Sequence, residues 1–121
     1  MKRSQDQSVD QLVNQFTEIA LQQDKALLSG DTASYNRLYA EMEVVGKELK
    51  GRYGDQRRSL LRLYNHPNAQ VRLKAAINTL AIERESAQRA LQVISDRNEY
   101  PQAADARGMI RALLEGTYVP R

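Results

Sequence analysis

Cysteine is absent from the 121 residues, which excludes disulfides, zinc ribbons, Fe–S clusters and thiol nucleophiles. Tryptophan is absent too, and phenylalanine and histidine occur once each. One histidine, His66, and scattered carboxylates do not make a typical transition-metal site, so neither a metal nor another cofactor is expected. No run approaches the ~18 apolar residues of a membrane span. The start, Met1-Lys2-Arg3-Ser4-Gln5-Asp6-Gln7, is polar and lacks the apolar stretch of a signal peptide. A reducing cytoplasm is therefore the expected compartment. Phosphate-loop and dinucleotide motifs are also missing, since Gly51-Arg52-Tyr53-Gly54 has no strand before it and no GK[ST] ending. Ser59 has no glycine elbow around it. His66 has only Asn65 and Asn68 nearby, and neither serves as a base. No catalytic residue is predicted, and the chain is not expected to be an enzyme.

What is present favours helix. Ala, Leu, Glu, Lys, Gln, Arg and Met supply 68 residues, against 16 for Val, Ile and Thr. The length predicts one domain over 8–116, with a flexible start at 1–7 and a tail at 117–121. Ser8 and Gln11 form a capping box before Val9, Leu12, Val13, Phe16, Ile19 and Ala20, which share one helix face. That helix ends near Ser29-Gly30. Asp31 or Thr32 opens a second helix carrying Tyr35, Leu38, Tyr39, Met42, Val45 and Leu49 inward, completing a long hairpin over 8–52.

Shorter helices follow after the break at Gly51–Gly54. Gln56 to Tyr64 reads as one, stopped by Asn65-His66-Pro67. Asn68 caps a fourth with Val71, Ala75, Ala76, Thr79 and Leu80 inward. Glu83 to Ser95 gives a fifth with Ala87, Ala90, Leu91 and Ile94 inward. Pro101 opens a sixth carrying Ala104, Met109, Ile110, Leu113 and Leu114, ended by Gly116. Segments 55–82 and 83–116 align at a shift of 33, a period in the range of helical-hairpin repeats. Ala75 then meets Gly108, which predicts a close helix crossing at both positions.

The stretch His66-Pro67-Asn68-Ala69-Gln70-Val71-Arg72-Leu73-Lys74-Ala75-Ala76-Ile77-Asn78-Thr79-Leu80 resembles a HEAT repeat, with its Pro, Asn cap, Val-Arg and paired Ala. Segment 83–116 lacks Val-Arg and resembles a degenerate second copy. Tyr35-Asn36-Arg37-Leu38-Tyr39 with Glu41-Met42, together with the Val71–Ala76 run, make residues 9–116 similar to a small bacterial family of HEAT-like domains without assigned function. The resemblance implies an all-α fold, a short right-handed superhelix of about six helices in three antiparallel pairs. It implies no catalytic residue.

The charge distribution is uneven. Eight cations between Lys47 and Lys74 face only Glu48 and Asp55, a local +6 within a chain of net +3. Arg58 and Arg62 there are expected to share a helix face. In a stacked-hairpin fold the second helices line a concave surface, which would gather Arg37, Lys74, Asn78, Arg107 and Arg111. The function expected is a non-catalytic protein-interaction module of adaptor or immunity/antitoxin-like type, binding an acidic protein. The alternative is nucleic-acid binding through 47–74.

Overall fold

The computed structural model describes residues 6–121, and every regular element among them is helical. The chain divides into two compact units, one ending at Ser59 and one spanning Leu60–Arg121. This division falls inside a helical segment, a few residues beyond the Gly51–Gly54 break that the sequence marks.

The first unit is built on α1 (Val9–Ser29) and α2 (Thr32–Gly51). Ser8 accepts the Gln11 amide while the Gln11 side chain accepts the Ser8 amide, closing the capping box. Gly30 ends α1 at φ 70°, a left-handed conformation that glycine adopts without a Cβ penalty. Asp31 then caps α2 through the Ser34 amide and hydroxyl. The two helices bury one face each: Leu12, Val13, Phe16, Ile19 and Ala20 from α1, and Leu38, Met42, Val45 and Leu49 from α2. Tyr39, expected inside, is 49% exposed. Its neighbours Leu38 and Met42 fill the core side, and a ring at 39 projects from the adjacent face. Residues 1–5 of the expected flexible start lie outside the described residues. Within the rest of it, the Gln7 carbonyl accepts Arg52 Nη2 at 2.8 Å.

Gln56–Asn65 is a 3-10 helix rather than the α-helix expected there. Its buried residues are Leu60 and Leu63, three apart, which matches the three-residue turn of that geometry. The second unit continues with α3 (Ala69–Thr79), α4 (Arg84–Asp96) and α5 (Gln102–Glu115). α3 packs on both α4 and α5, and α4 packs on α5. Leu73, Ala76, Leu80, Ala87, Leu91, Ile94, Ala106 and Leu113 form the shared core.

Two expectations about α5 fail. Ala104 and Leu114 point outward, and the buried face runs through Gln102, Ala103, Ala106 and Leu113. Three alanines in one turn leave the inward direction ambiguous in sequence. Gly108 is exposed with open space around its Cβ position, so no helix crosses there, whereas Ala75 is fully buried. Ala69 and Gln102, the first residues of α3 and α5, are 33 apart. Gln70 and Gln102 meet in the interior at 2.9 Å, joining the first turns of these helices.

Candidate binding groove

The turn before α3 places the site. Asn68 Oδ1 accepts the amides of Gln70 and Val71, the N-cap that α3 needs. Its own amide donates to His66 Nδ1 at 3.0 Å, so the neutral imidazole carries its proton on Nε2. One turn into α3, Arg72 reaches back to this loop. Its Nε donates to the His66 carbonyl at 2.7 Å and its Nη2 to the Pro67 carbonyl at 3.2 Å. Nη1 and Nη2 also grip both oxygens of Glu99 at 2.7 Å. Such a fork-to-fork pair is among the stronger polar contacts available to a protein. The Arg72 guanidinium holds the Glu99 carboxyl below its usual range, and Glu99 in turn raises the Arg72 pKa. One side chain thus fastens the turn before α3 to the connection between α4 and α5.

Beside this clasp lies a groove of about 690 Å³, floored by the 64–67 turn and walled by the outer face of α4. Arg72, Arg89 and Arg97 supply three guanidiniums to its lining and Glu99 the one carboxylate. Arg72 neutralises Glu99, which leaves the charge of Arg89 and Arg97 without a strong counterpart in the wall. Arg89 makes only a 4.0 Å approach to Glu85, with both side chains largely exposed, and a 3.3 Å contact to Ser86 Oγ. Val93 lies between the two arginines on the helix surface and is 42% exposed. Tyr64 closes one end with its hydroxyl engaged by Thr79. Burial raises the Tyr64 pKa, against the smaller pull of that hydrogen bond.

The groove has poor means for acid–base or nucleophilic chemistry. Its carboxylate is held ionised, its imidazole has Nδ1 occupied, and Ser86 Oγ accepts from an arginine rather than a base. No group of three or more metal-ligating side chains occurs among the described residues. No helix among them is long and apolar enough to cross a membrane.

The residues that the sequence nominated do not all stand on an open surface. Lys74 is buried at 9% exposure, on a helix with eight of its eleven residues buried, so it cannot line an open surface. Asn78 turns inward along the helix and donates to the Lys74 carbonyl at 2.8 Å. Arg107 closes the C-terminal end of α4: it donates to Ser95 Oγ at 2.9 Å, to the Ser95 carbonyl and Asn98 Oδ1 at 2.7 Å, and stacks on Tyr100. Arg111 is exposed, and Arg37 on α2 approaches Glu41 at 3.5 Å in solvent. Arg58 and Arg62 are exposed, but at three residues per turn positions four apart no longer stack on one face. The basic stretch itself is partly spent, with Arg52 on Glu48, Arg57 on Asp55 and Arg72 on Glu99. Arg57 holds the Asp55 carboxyl below its usual range. Sequence reasoning missed Arg89, Val93 and Arg97. Their spacing by four, on the side of α4 opposite Ala87, Leu91 and Ile94, was the available signal.

A family model described as a domain of unknown function, DUF2019, matches residues 10–114. No curated protein is similar to the chain. Among solved structures, the crystal structure of the protein RPA1889 from Rhodopseudomonas palustris CGA009 is similar over 100% of both chains, at 38% identity and a TM-score of 0.96.

Proposed function

The chain belongs to the DUF2019 family of unknown function, and from that premise we propose that it is a non-catalytic interaction module whose second unit receives an acidic segment of a partner protein. The observation that carries this reading is the groove beside α4, where Arg89 and Arg97 stand without a strong counter-charge while the only carboxylate is consumed by Arg72. Positive charge at the rim of a shaped groove favours acidic partners and speeds their encounter. Mixed polar and apolar lining also suits a peptide better than a small metabolite. We read the second unit as HEAT-like on three supports: the Pro67-Asn68 cap, Arg72 bound back to the turn carbonyls, and the 33-residue interval between α3 and α5. A cytoplasmic setting fits a chain without cysteine.

A titration of the isotope-labelled protein with poly-L-glutamate, followed by amide chemical shifts, tests the reading. Shifts centred on Ala90, Val93 and Arg97, lost in R89E/R97E, are expected. Absence of any shift along the groove overturns it. The same titration with random duplex DNA covers the nucleic-acid reading. Micromolar affinity that falls steeply between low and physiological salt would favour that class instead.

A further inference from the structure

The groove wall has a spacing as well as a charge. Arg89 and Val93 on α4 and Arg97, the C-cap residue whose amide still donates to the Val93 carbonyl, recur every four residues, so their Cα atoms are about 6 Å apart along the axis, roughly 12 Å from first to last. An extended chain places its same-face side chains every second residue, about 6.6–6.8 Å apart. The two repeats nearly coincide over three positions. A cation, an apolar side chain and a cation would then face an acid, an apolar side chain and an acid.

From this register we propose that the groove recognises an extended peptide of the pattern acid–x–apolar–x–acid. The proposal rests on the acidic-partner reading above and adds the order of the side chains. The two carboxylates would pair with Arg89 and Arg97, and the central apolar side chain would cover Val93 and Ala90 on the groove wall. Arginine suits this use because its planar fork receives a carboxylate in two hydrogen bonds. His66, with its proton on Nε2, adds a donor on the opposite side of the groove.

The recognition needs the clasp, whose Arg72 and Glu99 are themselves part of the groove lining. Arg72 and Glu99 fix the turn that forms the floor, and their bidentate pairing takes up both Glu99 oxygens, with Arg97 adding a weaker pull on the same carboxyl. Arg89 on α4 and Arg97 at its C-cap are exposed, so reversing them leaves the core intact.

The experiment uses three heptapeptides on the full chain, with amide shifts as readout. AESLSEA carries the pattern. AEESLSA has the same composition with its two acids adjacent, on opposite faces of an extended chain. AESSSEA keeps the acids and lacks the apolar centre. AESLSEA should bind up to about fivefold more tightly than AEESLSA, which keeps one acid on the face of its leucine, the size expected from one surface ion pair. It should also bind more tightly than AESSSEA, and V93S should erase that second preference. R89E/R97E should abolish the first. Equal affinity for AESLSEA and AEESLSA overturns the register while poly-L-glutamate binding, tested separately, still supports an acidic partner. If poly-L-glutamate also leaves the groove unshifted, the acidic-partner reading itself fails. Shifts that map away from α4 and the 64–67 turn overturn the proposal whatever the affinities.

Discussion

The two units of this chain solve the same problem by different means. The first has two helices of about twenty residues, and their apolar faces close on each other along the whole length. Its ion pairs are local in sequence: Arg37–Glu41 lies in solvent, Arg52–Glu48 at the end of α2, and Arg57 grips both oxygens of Asp55 two residues away. The second has helices of 11 to 14 residues. Short helices leave a larger share of their terminal amides and carbonyls without partners. Side chains make up the difference there. Asn68 caps α3, Arg72 binds two carbonyls of the preceding turn, and Arg107 binds the Ser95 carbonyl near the end of α4. Both long helices also carry side-chain N-caps, Ser8 and Asp31, whereas α4 and α5 begin without one, so the polar contacts of the second unit gather at the start of α3 and the end of α4.

The largest effects should come from the apolar cores and should not distinguish the units. Phe16→Ala in the first and Leu91→Ala in the second each remove a fully buried side chain. Losses of about 3–5 and about 2–5 kcal/mol are expected by chemical denaturation. A loss below ~1 kcal/mol at either position would show that its core is not as closed as described.

Charge reversal sharpens the contrast between inside and outside. Lys74→Glu reverses a charge on a buried stem and should cost about 2 kcal/mol or more, whereas Arg111→Glu should stay within ~0.5 kcal/mol. Equal, small effects would place Lys74 in solvent.

Acid should act on the second unit through Glu99. Its folded pKa is depressed by Arg72 below the ordinary 4.5, so its contribution to stability is complete above that value. The contribution is lost as pH falls through the lower, folded value. The stability difference between the wild type and Glu99→Gln should therefore shrink as pH drops below about 4.5. A difference that stays constant between pH 7 and 3 would contradict the pairing.

The caps give a smaller effect. Asn68→Ala should cost about 1–2 kcal/mol, because it removes two amide contacts and loosens the turn that Arg72 binds. Asp31→Ala, at an exposed cap on a helix nearly twice as long, should cost less.

This contrast also explains what could be read in advance. The capping box, Gly30, Asp31 and, Tyr39 apart, the inward stripes of α1 and α2 follow from local rules and appear as expected. In the second unit the Asn68 cap and the side of α3 carrying Val71, Ala75, Ala76, Thr79 and Leu80 were legible, but the ion pair of Arg72 was not. Its chief partner, Glu99, is 27 residues away and belongs to no periodic pattern. Lys74 misled because a helix buried on nearly all sides cannot be told from a one-sided helix when its sequence mixes Arg, Lys and Gln with Ala. Arg107 misled for the converse reason, since a cation at helical spacing resembles a surface residue until the carbonyls near the end of α4 are seen beside it. The groove needed two elements far apart in sequence, a turn and a helix face, and only the α4 half left a periodic trace.

A double-mutant cycle on Arg72 and Glu99, run beside the same cycle on Arg37 and Glu41, tests the central contrast most directly. Arg72→Met and Glu99→Gln are made singly and together, as are Arg37→Met and Glu41→Gln, and each is unfolded in denaturant. A bidentate, mostly buried pair that organises a turn should show a coupling of about 1–3 kcal/mol. The exposed pair of the first unit should be additive within ~0.5 kcal/mol. Additivity at both sites, or equal coupling at both, would contradict the claim that the long-range Arg72–Glu99 pair holds the second unit in a way that the solvent-exposed Arg37–Glu41 pair does not hold the first.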